Sequence, residues 1–279
     1  MKILKYLTYS LAVLAVLASC EKHEIEYPTV PAPEAEFQLH YFEPIKNEAA
    51  NYIDSVFVND KLIANADGGA QLLPYNGLPG YAKFYSAEPG MNNIKLYRKG
   101  EMIYNFDINL SKGKQNVIVH DLNKEPIIIS NQYPYQHSSA GATASNWDTD
   151  SLATVMFINM LYEDGVKPYE GKLQYQWQHF RTKEWMNIGE PVAFGEATAR
   201  TEILVVKETF ISQGARRIDY RILDEDGNVL QIGNSSGKMS NYSDWWNATI
   251  GRAYMHFFRG NRLGGSYGPT CAVSVWTSL

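Results

Sequence analysis

Cysteine is nearly missing from this chain: Cys20 and Cys271 are the two present in 279 residues. Such a count excludes a disulfide framework and any zinc site built from cysteine. Charge is sparse as well, at 20%, and tilts acidic, with 25 Lys and Arg against 30 Asp and Glu. An acidic balance repels phosphate backbones and anionic lipid, so neither nucleic acid nor an electrostatic membrane contact is expected as a partner. No apolar run approaches the ~20 residues that a membrane-crossing helix needs. Helical periodicity is almost absent after Cys20. The six histidines, at positions 23, 40, 120, 137, 179 and 256, show no H-x-H, H-x₃-H or HExxH spacing, so no metal and no cofactor are expected. Apolar residues, by contrast, reach 45% and aromatic ones 13%. That is enough for a substantial core, and the length points to two domains.

The first residues read as an address. Met1-Lys2-Ile3-Leu4-Lys5 is a short basic start, the apolar run Leu11–Leu17 follows, and Ala18-Ser19-Cys20 closes it. This order fits a secretory signal and not a span. Leu17-Ala18-Ser19-Cys20 resembles the lipobox of bacterial lipoproteins. The resemblance implies cleavage before Cys20 and lipid attachment to it, with palmitate among the acyl chains that anchor the protein. Removal of residues 1–20 takes Lys2 and Lys5 with it and leaves the rest more acidic still. Residues 21–36 contain Pro28, Pro31 and Pro33 and are expected to form an extended tether. The acidic Glu21, Glu24 and Glu26 after the lipidated cysteine resemble the export signal of Bacteroidetes surface lipoproteins. This implies an outer-membrane location facing the cell surface, with a periplasmic orientation as the alternative.

After the tether, short alternating apolar runs separated by turn residues predict an all-β chain: two tandem immunoglobulin-like β-sandwich domains, at 37–129 and 151–279, joined by a linker at 130–150. The first set of runs is Phe37–Phe42, Ser55–Val58, Ala82–Ser86, Asn93–Tyr97, Met102–Ile108 and Asn116–His120. The second is Val155–Ile158, Leu173–Trp177, Thr201–Val206, Ile218–Leu223, Val229–Ile232, Ala253–Phe258 and Cys271–Trp276. Turns are expected at Asn59-Asp60, Glu88-Pro89-Gly90 and Lys99-Gly100. An internal duplication is visible too. The segment ending Ile94-Lys95-Leu96 matches that ending Ile218-Asp219-Tyr220, each followed by a hairpin, at Lys99-Gly100 and at Asp226-Gly227. The offset grows toward the C-terminus, which places an insertion in the second copy between Gly233 and Asn247.

Ile53-Asp54-Ser55-Val56-Phe57-Val58-Asn59-Asp60, the Tyr81–Tyr85 run, Ala87-Glu88-Pro89-Gly90 and Ser111-Lys112-Gly113-Lys114-Gln115-Asn116-Val117 together resemble the DUF4397-type β-sandwich domains of Bacteroidetes lipoproteins. The resemblance covers most of 37–125 and is weaker over 148–279. It implies an architecture and a location, and no reaction.

Several constellations suggest chemistry. Gly233-Asn234-Ser235-Ser236-Gly237 fits G-x-S-x-G, but a nucleophile elbow needs a following helix and later triad partners, and the polar Lys238–Ser243 offers neither. Asp224-Glu225-Asp226-Gly227-Asn228 lacks the glycine position and the distal Glu of a calcium loop and reads as a hairpin turn. Cys271, in an alternating apolar run, reads as a buried inert thiol. Aromatics beside amides and carboxylates are the better binding candidates: Tyr242, Trp245 and Trp246 in the inserted region, and Trp147 in the linker. If Trp245 and Trp246 share a strand, one faces the core. Asp54-Ser55-Val56 and Asp150-Ser151-Leu152 resemble the O-glycosylation acceptor of Bacteroidetes, which implies Ser151 and Ser55 as glycan sites. The sequence thus points to a non-catalytic binding or accessory subunit of an outer-membrane protein complex, not an enzyme, with a surface glycan-binding lipoprotein as the alternative.

Overall fold

A computed structural model of the chain describes residues 35–46, 48–65, 76–78, 84–131, 152–179, 182–205, 215–249, 252–264 and 271–277. All of these belong to one compact unit, Pro33–Leu279. Among them regular structure is β, apart from a 3-10 turn at Ala49–Asn51, and no helix is long and apolar enough to cross a membrane.

A first set of strands comprises β1 (Ala35–Tyr41), β2 (Ser55–Val58), β3 (Lys61–Asn65), β4 (Asn76–Leu78), β5 (Tyr85–Ala87), β6 (Gly90–Arg98), β7 (Glu101–Leu110), β8 (Gly113–Val119) and β9 (Ile127–Ser130). A second comprises β10 (Leu152–Tyr162), β11 (Gln174–Gln178), β12 (Trp185–Asn187), β13 (Thr201–Leu204), β14 (Ala215–Leu223), β15 (Gln231–Gly233), β16 (Met239–Asn241), β17 (Ser243–Thr249), β18 (Ala253–Asn261) and β19 (Ala272–Thr277). Each set makes two four-strand paths of matching order, and the second adds the ribbon β15-β16. In the first these are β4-β1-β8-β9, with β5 also on β1, and β3-β2-β6-β7. In the second they are β13-β10-β18-β19 and β12-β11-β14-β17. The central pairs β1·β8 and β10·β18 are parallel, whereas every other pairing is antiparallel.

Those parallel pairs explain the layering. Parallel strands are usually buried on both faces and read as nearly continuous apolar runs. The run Leu152–Tyr162 is buried at every position after its first, and β18 is buried at all but one. One face of β1 and β8, through Phe37, Leu39, Tyr41, Val117 and Val119, packs with Val56, Ile94, Leu96 and Tyr104 from the β3-β2-β6-β7 sheet. One face of β10 and β18, through Val155, Phe157, Tyr254 and Phe258, packs with Tyr175, Ile218, Tyr220 and Trp246 from the β12-β11-β14-β17 sheet. The opposite faces meet each other: Phe42 and Ile118 pack with Met156, Ile158, Met160, Met255 and Phe257. The sheets therefore stack in four layers, with the two parallel-cored sheets inside. Polar groups also stitch this seam. His40 Nε2 lies 3.3 Å from Asn116 Oδ1, Asn116 Nδ2 donates to Met255 Sδ at 3.0 Å, and the Tyr162 hydroxyl donates to the carbonyl of His120 at 3.0 Å.

The outer sheets alternate instead, because one of their faces meets solvent. The turns that fold them match their chemistry. Asn59-Asp60 between β2 and β3, and Lys99-Gly100 between β6 and β7, hold positive φ at both residues, which the tight two-residue hairpin requires.

Two expectations need correction. The Asp226-Gly227 turn does not pair β14 with its successor. It closes a single bridge, Leu223 to Val229, and the chain then makes the separate ribbon β15-β16. The partner of β14 is β17, with Ile218 opposite Trp246, as β7 is the partner of β6, with Ile94 opposite Phe106. The insertion in the second set is thus the segment 224–242, and Trp245 and Trp246 lie on a framework strand rather than in an inserted loop. Local turn signals marked a hairpin correctly but could not say which strand would claim β14, since that is settled by burial of Ile218 and Trp246 across the sheet.

Candidate functional site

The solvent face of the β12-β11-β14-β17 sheet is built by strand alternation. Tyr175 and Trp177 on β11, Ile218, Tyr220 and Ile222 on β14, and Trp246 and Ala248 on β17 point into the core. Their neighbours Gln176, Gln178, Arg217, Asp219, Arg221, Trp245 and Asn247 therefore point out. Trp245 keeps 48% of its surface exposed. The guanidinium of Arg217 sits over its ring, 4.7 Å from the centroid, and donates from Nε and Nη2 to Asp219 Oδ1 at 3.1 and 2.9 Å. Asp219 stands directly opposite Trp245. Arg221, four residues along β14, repeats the device: its guanidinium lies 4.4 Å from the ring of Trp185. Its Nε donates to Gln176 Oε1 at 2.8 Å, and Gln176 Nε2 donates to Asn187 Oδ1 at 2.8 Å. The face thus carries two tryptophans, each under an arginine, held by a polar ladder.

Beneath this face lies a buried aromatic cluster. Trp246 and Tyr242 are each 6% exposed, so they pack and do not present a surface. Trp246 meets His256 edge-on with centroids 4.4 Å apart, and Tyr175 stacks on Tyr220 at 5.1 Å. The Tyr175 hydroxyl lies 2.9 Å from His256 Nδ1, and the Tyr220 and Tyr242 hydroxyls share a hydrogen bond at 3.0 Å. Burial drives His256 down to about 3 and raises all three tyrosines far above their usual range. Groups held neutral in this way, with no access to solvent, specify the core and offer no acid or base.

The equivalent face of the first set has different chemistry. Leu62 stands opposite Phe57, and Met102 opposite Tyr97. The Phe57 and Tyr97 rings meet edge-on at 5.3 Å, while Leu62 and Met102 are 46% and 51% exposed. These four side chains, one from each strand, form an apolar strip that runs obliquely across the sheet. Beyond it the face turns polar, with Asn93 Nδ2 donating to Asn105 and Asp107, and Lys95 paired with Asp60.

The remaining sites fall as follows. Cys20, Trp147 and Ser151, with the tether and the linker, lie outside the described residues. Ser55 opens β2 on the outer face, half-buried, and its neighbour Asp54 accepts the Gly100 N–H at 2.8 Å, a brace for the β6-β7 turn. The G-x-S-x-G segment is the β15-β16 turn, where Asn234 Oδ1 accepts from the backbones of Ser236 and Lys238 and from the Ser236 hydroxyl. Gly233 is required for packing: a Cβ there would stand 2.0 Å from the Leu263 carbonyl oxygen. Asp224 Oδ1 caps its own turn by accepting from Asp226 and Asn228. Cys271 is buried, and desolvation pushes its thiol up to about 12. Among the described residues, no three His, Cys, Asp or Glu side chains cluster as a metal would need. Trp185, Arg217 and Arg221 escaped sequence reasoning. Their meeting with one another and with Trp245 depends on pairing across β11, β12, β14 and β17, which no local pattern encodes.

No protein family matches the chain, and no curated protein matches it. Among solved structures, the TIE protein of Bacillus anthracis aligns at 7% identity and a TM-score of 0.24, over 82% of this chain and 34% of that one. A leucine-rich repeat protein of Bacteroides thetaiotaomicron aligns at 9% identity and a TM-score of 0.22, over 84% of this chain and 26% of the other. The chain thus spans about a third of the first and a quarter of the second, and similarity this low carries no argument about function.

Proposed function

We propose that the chain is a non-catalytic binding or accessory subunit of an outer-membrane protein complex, anchored by lipid on Cys20 and facing the cell surface. The observation that carries this reading is the exposed apolar patch of Leu62, Phe57, Tyr97 and Met102 on the β3-β2-β6-β7 sheet. Contiguous apolar side chains rimmed by polar ones are what protein interfaces present, with aromatic and methionine side chains favoured at their centres. Strands rather than loops hold this patch, which lowers the ordering cost of docking. The resemblance to DUF4397-type domains and to the lipobox supports the location, and the stacked sheets of the unit Pro33–Leu279 supply the scaffold.

Co-purification tests the reading. The native lipoprotein, solubilised in mild detergent and captured by a C-terminal tag, is expected to bring down one outer-membrane protein in stoichiometric amount. Recovery of the lipoprotein alone, after gentle cross-linking as well as without it, contradicts the proposal.

A further inference from the structure

The Trp and Arg face of the second set is a separate surface with its own ligand chemistry. We infer that the solvent face of β12-β11-β14-β17 binds an acidic glycan, a polysaccharide whose sugars carry carboxylates. This site uses a different sheet from the apolar patch and stands or falls separately from any protein partner.

The geometry is that of a strand-borne platform. Trp185 faces Gln178 across β12 and β11, and Asp219 faces Trp245 across β14 and β17. The two indoles therefore stand on the outermost strands, three strand spacings apart, or roughly 14 Å at ~4.8 Å each. That span suits a short run of sugar rings. A sugar presents alternating C–H faces and hydroxyls, and this face presents rings separated by amide, guanidinium and carboxylate groups. Between the indoles stand Gln176, Gln178, Asp219 and Arg221, with no apolar side chain among them. A protein hot spot needs a dry apolar centre, which such a ladder cannot form. A hydroxyl-rich ligand has no such requirement.

Charge selects the acidic member of that class. Two arginines against one aspartate leave the outward strand residues with a positive surplus, on a chain whose formal net charge is −5. Both bonds from Arg217 run through Nε and Nη2 to a single oxygen of Asp219, and Arg221 is bonded through Nε to Gln176. Each guanidinium thereby keeps Nη donors for an incoming carboxylate, the partner to which its fork is matched. The arginines are four residues apart on one face of β14, roughly 14 Å at ~3.4 Å per residue. Each is already fixed by its tryptophan and its hydrogen bond, so little side-chain freedom is lost on binding.

Native affinity electrophoresis of the folded, unlipidated protein tests this, with polygalacturonate, alginate or hyaluronate in the gel, and neutral dextran and poly-glutamate as comparisons. Retardation is expected in at least one polyuronate, weakened by added salt, and absent in dextran. Because the chain as a whole is acidic, a polyanion repels it except where this face attracts. Trp245→Ala and Arg221→Gln should each lower the affinity about tenfold or more while the melting temperature stays within a degree or two. Arg217→Lys, which keeps the charge but loses the fork, should also bind more weakly. Failure of all three polyuronates to retard the protein overturns the inference. So does equal retardation by poly-glutamate, which would mean that the face takes an acidic polypeptide, and so does retardation that survives both Trp245→Ala and Arg221→Gln in folded protein.

Discussion

Adjacent tryptophans with opposite fates show how far single residues can be read. Alternation in a strand required one of Trp245 and Trp246 to face inward, and the structure buries Trp246 against His256 and Tyr254 while Trp245 faces solvent. Which ring went inside was not legible, because that choice depends on β14 and on Ile218 opposite Trp246. Trp246→Ala should cost about 3–5 kcal/mol of stability, as expected for a buried ring. Trp245→Ala should change it by no more than about 0.5 kcal/mol. Thermal melts of the two variants check this, and equal losses would mean that both rings are structural. The buried histidines give a pH dependence. Burial lowers His40 to about 4 and His256 to about 3, and it lowers His120 as well. In the unfolded chain these groups titrate near 6.5. Between pH 6.5 and 4 the unfolded state therefore binds more protons, and stability falls as pH falls. The slope reaches about 1.4 kcal/mol per pH unit for each fully neutral histidine. Denaturant melts at pH 7, 6 and 5 should show midpoints declining before most carboxylates titrate, whereas a flat profile over that range would place the histidines in solvent.

At the scale of elements, the central strands of the outer sheets were readable, whereas the strands β3, β12 and β17 and the parallel pairing of the inner strands were not. Runs such as Asn93–Tyr97 and Met102–Ile108 announce themselves by alternation and by the Lys99-Gly100 turn. The pairing of Ala35 with Gly113, or of Thr154 with Ala253, joins strands far apart in sequence and leaves no local trace. Its only sign is that Leu152–Tyr162 is apolar on both faces. The ribbon β15-β16 is tied down where Gly233 meets the backbone of Leu263 and Gly264, with the Gly233 N–H donating to the carbonyl of Arg262 at 2.7 Å. Gly233→Ala should therefore destabilise the fold by roughly 1–3 kcal/mol through overpacking, and Gly237→Ala by less, about 1 kcal/mol from putting a Cβ on a residue with φ of 78°, since nothing stands within 4 Å of that Cβ. Chemical denaturation of both variants checks the ordering, and a larger loss at Gly237 would mean that the ribbon is held elsewhere.

The whole molecule combines a stack that sequence did not reveal with an address that we propose from sequence. Cys20→Ala should release the protein from membranes and abolish labelling with palmitate, and a variant still labelled and membrane-bound would refute the anchor. A fragment spanning 35–131 should acquire β structure from its own core, but it should also bind a hydrophobic dye or self-associate. It would leave Phe42 and Ile118 without the methionines and Phe257 that cover them in the full chain. A monomeric fragment that binds no dye would show that the seam contributes little. The central claim, that the apolar strip across the β3-β2-β6-β7 sheet docks a protein partner, is tested most directly by one capture experiment on the full-length chain expressed in its native membrane. Leu62→Glu combined with Met102→Glu, at positions already in solvent, should leave the melting temperature nearly unchanged and remove the co-purifying outer-membrane protein. Undiminished recovery of that partner with the folded double variant would contradict the claim.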